Sequence, residues 1–64
     1  MSQKAIVLDH MRKRGSITTL IAFKRYAITR LAPRVVELEH DGHLINHTWI
    51  NRGGKRYMAY SLVG

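Results

Sequence analysis

Glycine falls at Gly15, at Gly42 and at the pair Gly53-Gly54, and these positions divide nearly the whole chain into four uninterrupted blocks. The first two are placed to stop helices, and the pair is placed to turn a hairpin. A chain of 64 residues cut in this way has room for one small domain, read here as residues 1–64. Such a chain buries only about 60% of the surface that its unfolded form exposes. It contains no cysteine, so neither a disulfide nor a thiolate-bound zinc can staple it. Helices and strands must hold it by packing alone.

In the first block Ser2 caps a helix that starts at Gln3. Val7, Leu8 and Met11 recur at helical spacing as its apolar stripe, with Lys4 on the same side at the start. Arg12, Lys13 and Arg14 occupy the last turn, where the negative end of the helix dipole favours cations, and Gly15 supplies the left-handed stop. Ser16-Ile17-Thr18 reads as a short extended link with Ile17 dropping into the core. Thr18 or Thr19 then caps a second helix over residues 20–26. Leu20, Phe23 and Tyr26 follow at intervals of three, and Ala22 is small enough for close helix contact. Ala27-Ile28 makes a tight turn without glycine. Thr29 caps a third helix that runs to about His40, with Leu31, Val35 and Leu38 as its inner stripe. On that placement Pro33 is the fourth helical residue and distorts the first turn; the alternative start, near Ala32, makes Pro33 the first helical residue.

Residues 43–63 read as two strands around Arg52-Gly53-Gly54-Lys55. A two-residue loop at the glycines sets Ile50 opposite Tyr57 and Trp49 opposite Met58. Ile45, Trp49, Met58, Tyr60 and Leu62 then share the expected core face. Asn46, Thr48, Ile50, Tyr57, Ala59 and Ser61 share the other. A slip of one residue would exchange the two sets.

Charge narrows the function. Eleven Lys and Arg face four Asp and Glu, a formal net charge of +7. Such an excess suits a polyanion, nucleic acid first and an acidic membrane second. No apolar run approaches the roughly 20 residues of a membrane span. Lys4 and Asp9 interrupt the N-terminal apolar stretch, so a signal peptide is not expected and a cytoplasmic location is.

Three short helices followed by a hairpin with a basic tip is the order of an α+β winged helix-turn-helix, with a two-stranded β-hairpin as the wing. The runs Gly15-Ser16-Ile17-Thr18, Tyr26-Ala27-Ile28-Thr29-Arg30-Leu31, Arg34-Val35-Val36-Glu37-Leu38, Gly42 and Gly54-Lys55-Arg56-Tyr57 resemble a family of small phage and prophage helix-turn-helix domains. The likeness covers nearly the whole chain. It is most specific around Ile28-Thr29-Arg30-Leu31 and in the final Gly-Lys-Arg-Tyr. It implies a winged-helix DNA-binding domain. The chain departs from the family's pattern at Ala27, where glycine is preferred, and at Pro33, where a small residue is preferred.

The residues themselves point the same way. An α-helix fits the major groove, and the first side chains of a reading helix reach furthest into it. Thr29, Arg30, Pro33 and Arg34 lie on or beside the surface opposite Leu31 and Leu38. Arg30 and Arg34 are one turn apart and suit guanine O6 and N7 or phosphates; the plain alternative is a solvated helix flank. Arg52, Lys55 and Arg56 place three cations on the hairpin tip, where glycine lets the backbone approach a phosphate or the minor groove. Lys24 and Arg25 are candidate backbone clamps. Glu37, Glu39 and Asp41 turn the C-terminal half of the third helix away from phosphate.

Other chemistries rank lower. His40, His43 and His47 lie close in sequence, but a helix end followed by a strand does not make them converge on a metal. Only Asp9 lies outside the carboxylates of residues 37–41, and no phosphate-binding glycine loop follows a strand, so neither an enzyme nor a cofactor or small-molecule substrate is expected. Trp49, Tyr57 and Tyr60 could stack on single-stranded bases, but a chain this small needs their area in its core. The expected partner is double-stranded DNA, bound by a homodimer or cooperatively at paired sites, since one module reads few base pairs. A transcription regulator leads. An excisionase-type architectural factor, and a module that binds and inhibits a host protein, remain as alternatives.

Overall fold

The computed structural model describes residues 2–63. Its elements are α1 (Gln3–Arg14), β1 (Ser16–Thr18), α2 (Thr19–Tyr26), α3 (Leu31–His40), β2 (Ile45–Arg52) and β3 (Lys55–Leu62). The three strands form one antiparallel sheet in the order β1-β3-β2.

Local chemistry sets the helix ends. The Ser2 hydroxyl accepts the Ala5 N–H at 3.1 Å, and the Thr18 hydroxyl accepts the Ile21 N–H at 3.2 Å. Each bond satisfies one of the donors that a helix start leaves free. At the end of α3 the Gly42 N–H donates to the Glu39 carbonyl at 3.0 Å and the His43 N–H to the Leu38 carbonyl at 3.1 Å. That pair of bonds is a Schellman stop.

Helix α3 starts between the two expected positions. Arg30 precedes it without a side-chain cap, so Thr29 is not the cap and Pro33 is the third helical residue. The N–H that proline lacks there would have had no acceptor within the helix, so the first turn accommodates it. The turn before it rests on Ala27, which holds the left-handed conformation at φ 56°. The Ala27 N–H donates to the Phe23 carbonyl at 2.9 Å, and the Ile28 N–H to the Ala22 carbonyl at 3.1 Å. This closes the turn and drops Ile28 into the core.

Val7, Met11, Ile17, Ala22, Ile28, Leu31, Val35, Leu38 and Tyr60 make up that core. The inner stripe expected of α3 is buried in full. In α1, Leu8 lies only beside the core, and the buried set is Val7, His10 and Met11.

Three sequence expectations are corrected. Ser16–Thr18 is a strand, not a link: it pairs with β3 through Ser16 and Ser61, Ile17 and Tyr60, and Thr18 and Ala59. Its β-branched Ile17 meets Tyr60 on the face that covers the core. In α2 the inward line is Thr18, Ala22 and Tyr26 at intervals of four, and this leaves Leu20 59% and Phe23 55% exposed. A helix of eight residues has one face to give the core, and Leu20 and Phe23 lie off it.

The hairpin register is as expected, with Ile50 opposite Tyr57 and Trp49 opposite Met58. Trp49 is nevertheless 53% exposed and does not join the core, because no residue of β2 is buried. β2 is the sheet's edge, paired with β3 on one side alone. Ala59 is buried although it lies on the face opposite Tyr60, since its partner Thr18 and the start of α2 cover it there.

Candidate nucleic-acid interface

The tip of the hairpin turns at Gly53 and Gly54, with φ 58° and 75°. Consecutive positive φ values are the signature of a two-residue primed turn, which glycine adopts without steric cost. The turn splits the tip cations between the two faces of the sheet. Arg52 and Lys55 are direct partners and share the face of Ile50 and Tyr57. Arg56 lies on the other face, and its guanidinium carbon stands 4.3 Å from the centre of the Trp49 ring. This cation–π contact gives an otherwise free arginine a fixed place.

The start of α3 gathers the other expected residues. Thr29, Arg30, Pro33 and Arg34 line one open pocket of about 360 Å³ together with Gln3 of α1. Gln3 had no signal in the sequence, because only the packing of α1 on α3 brings it there. Thr29 and Arg30 are exposed. Arg34 is half-buried, with its Nε 2.9 Å from Glu37 Oε1. The Nε is shielded from solvent and poorly aimed at that oxygen, so the contact is ionic in character and not a formed hydrogen bond. Thr29 also lines a second, larger cleft, together with Arg52 and Lys55. The start of α3 and the tip of the wing therefore border the same surface. Lys24 and Arg25 are exposed in the last turn of α2, outside both cavities.

The chain's four carboxylates are all engaged within the molecule. Asp9 pairs with Lys13 at 3.3 Å and Asp41 with Lys4 at 2.7 Å; Glu37 faces Arg34, and Glu39 meets His47 Nε2 at 3.3 Å. The Lys4–Asp41 contact raises the lysine pKa and lowers that of the aspartate, chiefly through their shared hydrogen bond. Both groups are open to water, where such pairs contribute little. The consequence for binding is larger. No described carboxylate lies within ion-pair distance of Lys24, Arg25, Arg30, Arg52, Lys55 or Arg56. Among the described residues, no group of three or more histidines and carboxylates could hold a metal ion.

His10 escaped the sequence reading. It is 5% exposed, and its Nδ1 lies 2.6 Å from the Tyr26 hydroxyl, joining α1 to α2. Burial pushes its pKa below the ordinary value of 6.5, against a hydrogen bond that the ring donates to the Ser16 backbone carbonyl, which works the other way. A ring protonated at Nε2 accepts the Tyr26 hydroxyl at Nδ1.

Three helices, a short turn between the second and third, and a three-stranded sheet ending in a basic hairpin define a winged-helix module. The chain belongs to the winged helix-turn-helix domain family, whose model matches residues 2–64. No curated protein and no solved structure matches it significantly. Membership of this family implies DNA binding. Among the described residues no helix is long and apolar enough to cross a membrane.

Proposed function

We propose that this chain is a phage or prophage transcription regulator that binds duplex DNA in the bacterial cytoplasm. In this reading the start of α3 enters the major groove and presents Thr29, Arg30, Pro33 and Arg34 to base edges. Arg52, Lys55 and Arg56 grip the flanking backbone or minor groove, and Lys24 and Arg25 clamp phosphates beside α2. The observation that carries the reading is the division of charge: the carboxylates are spent on Lys4, Lys13, Arg34 and His47, and Lys24, Arg25, Arg30, Arg52, Lys55 and Arg56 stay exposed and unopposed. Arg34, half-buried and facing Glu37, suits a base edge or a positioning contact better than a loose phosphate contact.

The test is binding to a random-sequence duplex pool across a salt series, with the retained fraction sequenced. Five or six neutralised phosphates give a slope of log affinity against log salt of roughly −5. A steep slope with an enriched motif is the expected result. A steep slope without enrichment identifies an architectural factor instead. Weak binding even at low salt overturns the DNA reading.

A further inference from the structure

Leu20 and Phe23 are the large apolar side chains that α2 leaves in water. They do not stand alone. With Ile21, Ile50 and Tyr57 they line a cleft of about 910 Å³ between α2 and the wing, on the sheet face opposite the core. Arg52 and Lys55 stand at the tip end of that cleft, and no acidic side chain lines it.

The DNA reading does not account for these residues. A phosphate backbone rewards cations and hydrogen-bond donors, and a Leu–Phe pair one helical turn long offers it neither. We propose that the cleft is the docking site for an acidic amphipathic helix of a partner protein. Its apolar stripe would lie on Leu20, Phe23, Ile50 and Tyr57, and its carboxylates would face Arg52 and Lys55. A helix laid in an apolar groove reads as anchors at i, i+3 or i+4, and i+7. Charge selects this occupant over a second copy of the chain. A second copy brings a net charge of +7 to a rim that already carries two unopposed cations, whereas an acidic helix neutralises them. Thr29, Arg52 and Lys55 serve both surfaces, so partner and duplex exclude each other; this clause alone rests on the DNA-binding reading.

The experiment selects from a displayed library of helical peptides with glutamate fixed on one face and the anchor positions randomised, using the full chain as bait. Phe23→Ser serves as counter-bait. Phe23 is more than half exposed, so its replacement leaves the core intact, and Leu20→Ser repeats the test at an independent position. Enrichment of peptides with large apolar anchors at helical spacing is expected. Their affinity should fall tenfold or more with either serine variant and with Lys55→Glu. Failure to enrich over the counter-bait, or binding indifferent to Phe23→Ser, overturns the proposal. Sedimentation that shows a dimer dissociated by Phe23→Ser overturns it in favour of a second copy. A tenfold loss of duplex affinity in Phe23→Ser overturns it in favour of DNA. The peptide selection contains no nucleic acid, so its result stands whether or not the duplex experiment succeeds. Displacement of bound duplex by the selected peptide then tests the exclusion separately.

Discussion

Ala27 is the one described non-glycine residue with positive φ. The left-handed region costs an L-residue with a Cβ roughly 1–2 kcal/mol, and glycine recovers part of that against its own greater chain entropy. Ala27→Gly should therefore stabilise the fold by about 0.5–1 kcal/mol, raising Tm by several degrees in a domain this small. Thermal melts followed by circular dichroism decide it, and an unchanged or lowered Tm would show that the turn is not strained. His10 sets a second expectation. Its pKa is lower in the folded chain than in the unfolded one, because burial disfavours the charged ring. Its contribution to stability is complete above the ordinary value near 6.5 and is lost as pH falls through the lower folded value. Denaturant midpoints should drop on acidification from about pH 7 to about pH 5, and His10→Gln should flatten that dependence. A wild-type midpoint that stays level over this range would refute the buried-histidine account.

Among the elements, β1 and α2 share a junction at Thr18. This residue pairs with Ala59 in the sheet and caps α2 through its hydroxyl. Thr18→Ala should cost about 1 kcal/mol through loss of the cap, and Thr18→Ser should restore most of it. Equal midpoints for the two variants would mean that the cap contributes nothing and that the methyl group in the sheet matters instead. The wing offers a different test. Trp49 is exposed and makes its cation–π contact with Arg56 outside the core. Such a contact is worth about 0.5–1 kcal/mol at an exposed site. Trp49→Leu should cost the fold about that much, a fall in Tm of a few degrees, and should weaken duplex binding modestly as Arg56 loses its fixed place. In an Arg56→Ala background the Trp49 substitution should have no further effect. Additive losses would separate the two residues.

Taken whole, the molecule measures 34 × 25 × 20 Å. Its longest dimension is about one helical turn of B-DNA, so one copy covers one groove segment and reads few base pairs. Control of a single site then calls for paired sites or a second protein, and the cleft beside the wing is the surface proposed to receive one. The charge division makes a global prediction too. Each phosphate contact removed should lower the salt slope by about 0.9. Arg52→Ala and Lys55→Ala should each do so, whereas Lys13→Ala should not, because Lys13 already faces Asp9. An equal effect of all three on the slope would point to diffuse attraction by net charge and not to a localised interface.

Sequence alone determined what depends on near neighbours. Ser2, Gly15 and Gly42 mark helix ends because their bonds close within three to five residues along the chain. The register of β2 on β3 follows from a two-residue loop, so Ile50 meets Tyr57 as soon as the turn is read. The stripe of Leu31, Val35 and Leu38 follows from helical period. Tertiary structure decided whatever required a distant partner. Ser16–Thr18 becomes a strand only because β3 returns more than forty residues later. Leu20 and Phe23 stay outside the core because the packing of α2 on β1, β3 and α3 selects its inward face. Trp49 stays in water because it lies on the edge strand, none of whose residues is buried. Of the candidate site, the residue types and the basic tip were legible. The place of Gln3 beside the start of α3, and the cleft that Thr29 shares with Arg52 and Lys55, were not. Hydrophobic pattern tells which side chains avoid water, but only the packing of one element on another decides which of them succeed.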